Sequence, residues 1–171
     1  MQKKALLVGL LMGLLVVSPN SLSGTYQEQD RAGLAKAVGE AKVSLEQGLS
    51  AATREGKPIS AKFEIEEGKL QLSVYTAKGD KFSEVIVDHN SGTVTKAEPI
   101  TSGDDYTAAK DQNAAMAKAK RSLRAALTQV LKGNSGFRAM SVVPSLKDGH
   151  PVAEITLAKG DEWKTVSEKL D

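Results

Sequence analysis

One tetrapeptide occurs twice in this chain, each time at the same place in a similar stretch. Ala77–Asp80 reads Ala-Lys-Gly-Asp, and the same four residues return at Ala158–Asp161. Each copy follows a run of alternating apolar and polar residues, and an aromatic residue, Phe82 or Trp163, comes shortly after it. Solenoids and propellers repeat every ~20–50 residues, so the longer period here is typical of two copies of one small domain.

The residues around the first copy change from a helical pattern to a strand pattern. From Asp30 to about Thr53, apolar residues recur at steps of three and four, which predicts a helix with one apolar face. Pro58 ends this pattern, because the residue before a proline disfavours helical geometry. Apolar and polar residues then alternate as far as Lys96, with short glycine-containing turns between the runs. This pattern predicts an antiparallel meander.

The second stretch repeats the same order of patterns. A helical pattern covers Met116–Val130, and three predicted strands follow at Met140–Val143, Ala153–Leu157 and Glu162–Leu170. With the offset between the two tetrapeptides, Val74 in the first stretch corresponds to Ile155 in the second. The same strand face is therefore apolar in both stretches, which a chance tetrapeptide would not produce.

These patterns predict an α+β fold of two repeated units, each with one helix packed on a three- to four-stranded antiparallel meander sheet. The expected boundaries are 30–98 for the first unit, 99–106 for a linker containing Pro, Ser, Gly and Asp, and 107–171 for the second unit. The second unit lacks a counterpart of the last strand. We therefore expect an exposed sheet edge, which the first unit or a partner chain covers.

The N-terminus has the pattern of a secretory signal peptide. Lys3 and Lys4 precede an uncharged apolar run at Ala5–Val17, and Ser21–Ser23 offers small residues for cleavage. The run is shorter than the ~20 residues of a membrane-spanning helix, which disfavours a permanent anchor. We therefore expect a signal peptide at 1–23, no stable membrane anchor after its cleavage, and a periplasmic or secreted bacterial protein.

Composition argues against several classes of function. The chain contains no cysteine, which excludes disulfides, a thiolate nucleophile and cysteine metal ligands. It has 23 basic and 21 acidic residues, and without Lys3 and Lys4 there are 21 of each. Nucleic-acid binders usually have a strong basic excess, so no nucleic-acid partner is expected. One local basic cluster is either a site for an anionic surface or, as we favour, a solvated helix face; it comprises Lys118, Lys120, Arg121, Arg124 and Lys132.

The first unit resembles the PepSY domain. The residues that carry the resemblance are Leu72–Thr76, Gly79-Asp80, Val85–Asp88 and Ser91–Val94, with the Asp-x-x-x-Gly turn at Asp88–Gly92. The second unit is less similar, because Thr156 replaces the strand tyrosine and the turn is absent. This family occurs in exported bacterial proteins and in the propeptides of thermolysin-like metallopeptidases. The resemblance implies a non-enzymatic module that inhibits or regulates a cell-envelope peptidase.

The sequence contains no recognisable catalytic or metal-binding pattern. The two histidines, His89 and His150, stand alone in predicted turns. Glu64 and Glu66 share a strand face, but nothing nearby indicates the burial that carboxyl pairs use in catalysis. A nucleophile elbow, a Walker loop and a dinucleotide fingerprint are absent. We expect no enzymatic activity, no cofactor and no metal.

The sheet face turned away from the predicted helix is the candidate contact surface. It carries Tyr75, Phe82 and Ile86 among charged side chains, and Trp163 is the counterpart of Phe82 in the second unit. An aromatic surface with a polar rim suits a protein partner, although packing of the two units on each other is the favoured alternative. Two hypotheses follow: a module that binds another protein, such as an envelope peptidase, or a periplasmic carrier with a small ligand in the cleft between the units. The oligomeric state is left open.

Overall fold

The computed structural model describes residues 28–171. The predicted signal peptide at 1–23 lies outside the described residues. The elements are α1 (Glu28–Glu40), α2 (Leu45–Ala51), a 3-10 turn (Ala52–Arg54), β1 (Lys57–Glu66), β2 (Lys69–Lys78), β3 (Lys81–Val87), β4 (Val94–Ile100), α3 (Gly103–Lys118), α4 (Leu123–Lys132), β5 (Arg138–Lys147), β6 (His150–Lys159) and β7 (Glu162–Lys169). Residues 28–100 are called the first half below, and residues 103–171 the second half.

All the strands belong to one antiparallel sheet with the order β4-β3-β2-β1-β5-β6-β7. Consecutive strands pair within each half, so each half contains a meander. In the middle of the sheet, β1 pairs with β5, where Ala61 lies opposite Val142 and Lys62 opposite Ser141. The predicted α+β class and antiparallel meanders are confirmed. The prediction of a separate sheet in each unit is wrong, because this central pairing joins the meanders into one sheet.

The hairpin turns lie where the sequence places glycine. Gly68 and Gly149 have φ angles of 76° and 80°, and Gly79 and Gly160 have φ angles of 62° and 57°. Glycine adopts this left-handed conformation without the steric penalty of a Cβ atom. The glycine of the repeated Ala-Lys-Gly-Asp therefore forms the turn after β2 in the first half and after β6 in the second.

The predicted single helix of each unit is wrong, because the chain starts a second helix in each half. Ser44 begins α2 with a capping box: its hydroxyl accepts a hydrogen bond from the Gln47 N–H at 3.2 Å, and the Gln47 side-chain oxygen accepts one from the Ser44 N–H at 2.7 Å. Ser122 begins α4, and its hydroxyl accepts a hydrogen bond from the Ala125 N–H. Both helix starts satisfy backbone donors that a helix end otherwise leaves unpaired.

The predicted linker at 99–106 is also wrong, because regular structure occupies most of it. β4 continues to Ile100 and α3 begins at Gly103. Pro99 is tolerated in β4 because this strand lies at the sheet edge, where a missing N–H breaks no necessary ladder bond. Asp104 and Asp105 lie in the first turn of α3, where negative charge favours a helix N-terminus.

A single core draws on both halves. The core side of the sheet carries residues that are each 1% exposed or less: Ala61, Phe63, Leu72, Val74, Val85, Val142, Ile155 and Leu157. Helix α2 approaches this layer closely, because a Cβ atom on Gly48 would lie 2.7 Å from Leu72 Cδ2. The strand alternation then places the intervening side chains on the opposite face.

Candidate functional site

On the side of the sheet opposite Leu72 and Val74, where α3 also packs on Phe82, the side chains of β1, β2 and β3 form a surface that we call the polar sheet face. It is defined by Lys62, Glu64, Gln71, Ser73, Tyr75, Glu84 and Ile86. The strand register brings these residues together, since Ser73 lies between Lys62 and Ile86 on the neighbouring strands, and Tyr75 lies opposite Glu84. Tyr75 and Ile86 are half-buried there.

Hydrogen bonds and an ion pair connect the polar side chains of this face. Lys62 Nζ lies 2.7 Å from Glu64 Oε2. The Ser73 hydroxyl donates to Glu64 Oε1 at 2.9 Å, and Gln71 Nε2 donates to the Ser73 hydroxyl at 3.0 Å. Ser73 is fully buried beneath its neighbours, and a buried hydroxyl left unpaired would cost about 1–3 kcal/mol. The network therefore holds the face in one arrangement.

Tyr75 is the titratable group most affected by this surface. Its hydroxyl donates to Glu84 Oε1 at 3.3 Å, and Lys62 Nζ lies 5.8 Å from the ring centroid. Burial raises the pKa of the Tyr75 phenol well above its ordinary value of 10.0. The negative charges of Glu84, Glu64 and Asp105 raise this pKa further. A phenol that stays protonated serves as a hydrogen-bond donor rather than as a general base.

Of the four contact residues predicted from the sequence, Tyr75, Phe82 and Ile86 share one face of β2 and β3, whereas Trp163 lies on β7. Phe82 is only 4% exposed, and its ring meets that of Tyr106 on α3 edge to face, with the centroids 5.6 Å apart. Trp163 is half-buried on β7, where the Arg31 guanidinium of α1 lies 5.5 Å from the ring centroid. Phe82 and Trp163 therefore do not pack on each other. Each contacts the first helix of the other half.

The histidines and carboxylates do not assemble into a metal site. His150 Nδ1 lies 2.8 Å from Asp171 Oδ2, and this hydrogen bond lowers the pKa of the Asp171 carboxyl. The backbone carbonyl of His89 accepts hydrogen bonds from the N–H groups of Lys42 and Val43. Across the described part of the chain, no group of three or more His, Asp or Glu side chains could hold a metal ion.

The predicted basic cluster is partly used for contacts within the chain. Arg121 Nη1 lies 2.7 Å from Glu168 Oε1 and donates to the Lys169 carbonyl at 3.0 Å. Arg124 Nη1 donates to the Ser50 hydroxyl at 3.2 Å. These contacts attach α4 and the residues before it to β7 and to α2, so the arginines serve as structural links.

A second candidate site, which we call the seam groove, lies between α2 and α4, where the two halves meet. Its narrower part is a cavity of about 340 Å³, and a wider region of about 710 Å³ continues along the two helices. Apolar side chains from both halves line the narrower part: Leu49, Pro58, Met116 and Leu123. Lys57 and Arg124 add positive charge beside them. Sequence reasoning did not single out Lys57, because only the packing of α2 beside α4 brings these residues together.

Comparisons with known proteins leave the family open. No protein-family model matches the sequence, and no curated protein matches it. Among solved structures, the chain is similar to a "putative lipoprotein" from Clostridium difficile 630, with 14% sequence identity and a TM-score of 0.43. The similarity covers 77% of this chain and 89% of that chain. Within residues 28–171, no helix is both long and apolar enough to span a membrane. At this identity and TM-score, the comparison assigns neither a family nor an activity.

Proposed function

We propose that this chain is an exported, non-catalytic module that binds another protein through the polar sheet face, and that the partner is a cell-envelope peptidase. The observation that carries the proposal is the polar sheet face, on which half-buried Tyr75 and Ile86 lie among hydrogen-bonded charged side chains. Protein interfaces favour tyrosine in a centre surrounded by polar groups. The signal-peptide pattern at 1–23 supports export, and the resemblance to PepSY, which stays a prediction, supports a peptidase as partner.

The charges around this face indicate what kind of partner it fits. Lys62 and Glu64 form an ion pair, and on the neighbouring strand β4 Lys96 Nζ lies 2.8 Å from Glu98 Oε1. Both signs are therefore interspersed, which favours a protein surface of matching mixed charge over a polyanion. Because Tyr75 stays protonated, its hydroxyl enters such an interface as a polar group of constant charge.

An inhibition assay tests this proposal. The chain from residue 24 onward is added to a panel of thermolysin-like metallopeptidases, and we expect it to inhibit at least one of them. Ile86→Asp places a charge in the centre of the face and should weaken inhibition at least tenfold, which corresponds to about 1.4 kcal/mol.

Ile65→Asp is the matched control, because Ile65 is 42% exposed on the core side of the same sheet. It should inhibit like the unmodified chain. The proposal fails if no peptidase is inhibited, or if Ile86→Asp and the unmodified chain inhibit equally.

A second candidate function, a periplasmic carrier of a small ligand, is supported by the seam groove. Its cavity of about 340 Å³ is at the lower end of the ~300–1,000 Å³ typical of ligand sites. Apolar walls beside Lys57 and Arg124 suit a small carboxylate with an apolar tail. Calorimetric titration with a six-carbon fatty acid should show saturable binding that Arg124→Gln weakens. Absence of heat exchange with such carboxylates would contradict the carrier function.

We also propose that the two halves are related copies of one unit fused in tandem. Ala61 and Val142, which are separated by the same offset as the two tetrapeptides, lie opposite each other where β1 meets β5. An irregularity in pairing occurs between Pro58 and Ser60 of β1, and another occurs at the equivalent positions of β5, between Ala139 and Ser141. A local twofold axis through the central pair would relate these features, since such an axis places equivalent residues opposite each other.

The loops between the helices support the same proposal. The His89 carbonyl accepts hydrogen bonds from Lys42 and Val43, and the carbonyl of Leu170, the equivalent of His89 at this offset, accepts them from Lys120 and Arg121. The donor segments read Ala-Lys-Val-Ser-Leu in the first half and Ala-Lys-Arg-Ser-Leu in the second. In an experimental structure, residues 57–87 should superpose strand for strand on 138–168. A different strand path in the two ranges would contradict common descent.

A further inference from the structure

Within residues 28–171, strand β7 forms one edge of the sheet and has β6 as its one pairing partner. The Leu170 N–H donates to the Pro151 carbonyl at 2.9 Å and continues the register of the two strands, so this pair occupies a hydrogen-bonded position. Hydrogen-bonded and non-hydrogen-bonded pairs alternate along an antiparallel ladder. Counting back from Leu170, the backbone N–H and C=O groups of Thr165, Ser167 and Lys169 therefore point away from β6, toward the open edge.

The charges of β7 are self-complementary about Val166. Lys164 precedes Val166 by two residues and Glu168 follows it by two, while Thr165 and Ser167 flank it directly. If a second copy pairs antiparallel with Val166 opposite Val166, Lys164 of each copy lies opposite Glu168 of the other. The same register sets Thr165 opposite Ser167, and both of these residues present backbone groups to the edge. Charge pairing and hydrogen bonding therefore select one register.

Other registers fit less well. A shift by one residue places the outward-pointing backbone groups of one copy opposite residues of the other copy whose backbone groups already bond to β6. A shift by two residues in one direction sets Glu162 opposite Glu168, and in the other direction it sets Lys164 opposite Leu170. Both of these shifts lose the two Lys164–Glu168 pairs, and like charges opposite each other destabilise a sheet.

We infer that β7 is the interface of a homodimer, in which two copies pair antiparallel through this strand, centred on Val166, and extend one sheet across both molecules. The pairs of Thr165 with Ser167 exchange about four backbone hydrogen bonds. Contacts within each copy hold the charged side chains in place, because Lys164 Nζ lies 3.9 Å from the Phe137 ring centroid and Arg121 pairs with Glu168.

The opposite edge strand, β4, is less suited to the same pairing. Pro99 lacks the N–H that an added strand would need, and proline on an edge strand is a known protection against pairing. The sequence of β7 contains neither proline nor glycine. The difference between the edges therefore predicts a dimer rather than an open chain of molecules joined β4 to β7.

Cysteine cross-linking tests the register directly, because the chain contains no cysteine of its own. Opposite residues at a non-hydrogen-bonded position have Cα atoms about 4.5 Å apart, which a disulfide can span. Val166→Cys should therefore form a covalent dimer under mild oxidation. Ala97→Cys is the matched control, since it lies exposed in the middle of β4, and it should stay monomeric at the same concentration.

Sedimentation velocity and a charge exchange complete the test. The unmodified chain should show a concentration-dependent equilibrium of monomer and dimer. Lys164→Glu should weaken the dimer at least tenfold, and adding Glu168→Lys should restore it, with circular dichroism confirming that each variant is folded. Monomer at every concentration, or cross-linking of Ala97→Cys as fast as that of Val166→Cys, would overturn the inference. If a charge variant does not fold, the cross-linking result decides.

Discussion

Two cations near the middle of the sheet connect each half to a helix of the other half. The Arg138 guanidinium on β5 donates to the carbonyls of Gly39 at 3.4 Å and Ala41 at 3.1 Å, at the end of α1. Lys57 on β1 donates to the Met116 carbonyl of α3 at 3.1 Å. The last carbonyls of a helix lack partners within the helix and carry partial negative charge, so positive side chains are favoured there.

Removal of the guanidinium should therefore destabilise the fold. We expect Arg138→Ala to lower the free energy of unfolding by about 1–2 kcal/mol, because hydrogen bonds to charged groups contribute about that much. Urea denaturation measures this change. Lys147→Ala, which removes a more exposed ion pair with Glu154, should cost less than about 1 kcal/mol. An equal loss in both variants would show that Arg138 does not act on the helix end.

Asp88 should make stability depend on pH. Its carboxylate accepts hydrogen bonds from the N–H groups of Ser91 at 2.6 Å and Asn90 at 3.0 Å, and the bonds to Ser91 are the main cause of its lowered pKa. A lowered pKa in the folded state gives stability above the ordinary value of 3.8, which is lost as pH falls through the folded value.

Asp88→Asn keeps an acceptor oxygen but cannot ionise. Acid unfolding followed by circular dichroism should therefore show a smaller loss of stability in this variant than in the unmodified chain as the pH falls below 3.8. Carbon-13 NMR titration of the Asp88 carboxyl gives its pKa directly. A value at or above 3.8 would contradict the expectation.

Two of the helical glycines have different surroundings. A Cβ atom on Gly33 in α1 would meet nothing within 4 Å, whereas one on Gly48 in α2 would lie 2.7 Å from the fully buried Leu72 side chain. Alanine improves helix propensity by about 1 kcal/mol at either position. In a packed core, however, extra atoms cost about 1–3 kcal/mol. Gly48 is therefore present because α2 must approach the sheet closely.

The two alanine substitutions should change stability in opposite directions. Gly33→Ala should raise the free energy of unfolding by about 0.5–1 kcal/mol, because the unfolded chain of the alanine variant has less conformational entropy to lose on folding. Gly48→Ala should lower it by about 1 kcal/mol, the overpacking cost minus the propensity gain. Guanidinium denaturation of both variants gives the two signs. Stabilisation by both would mean that Leu72 moves aside at little cost.

At the level of elements, the local signals in the sequence predict the strands better than the helix ends. The hairpins at Gly68, Gly79 and Gly149 are predictable because alternation and a left-handed glycine are local properties. The break at Ser44 is visible as a capping box but is outweighed by the apolar stripe that continues through it. The strand predicted at Met140–Val143 ends before Pro144, yet β5 continues past this proline, because the β1–β5 ladder does not extend beyond Val142.

In the whole molecule, the halves depend on each other for their buried surfaces. Phe82 on β3 contacts Tyr106 on α3, and Trp163 on β7 contacts Arg31 on α1. The central strands pair directly, and the core is one cluster. Neither half therefore completes its core alone, and the molecule should unfold as one cooperative unit.

Differential scanning calorimetry tests this dependence. We expect one transition whose calorimetric and van't Hoff enthalpies agree, with a ratio of about 1. Two resolved transitions, or a separately expressed first half that melts cooperatively by itself, would show that the halves are independent domains.

The candidate sites show where prediction from sequence stops. Period-two alternation correctly places Tyr75, Glu84 and Ile86 on one face, because the register of a hairpin is set locally. Nothing local indicates that β1 pairs with β5, or that α3 lies against Phe82, since these contacts join residues distant in the chain. The seam groove forms through the same long-range packing. The sequence therefore predicts a cleft between the units but not the residues that line it.

The contacts between the first half and α3 also constrain the order of events during synthesis. The ring of Phe82 is buried against Tyr106, and Ser60 donates a hydrogen bond to the Gln112 side chain, so the first half is completed by residues translated after it. At roughly 5–20 residues per second, the ribosome needs about 3–14 seconds to make residues 103–171. During that interval, the nascent first half exposes the surface that α3 later covers. A binding partner that recognised this surface would capture the unfinished chain and not the folded protein.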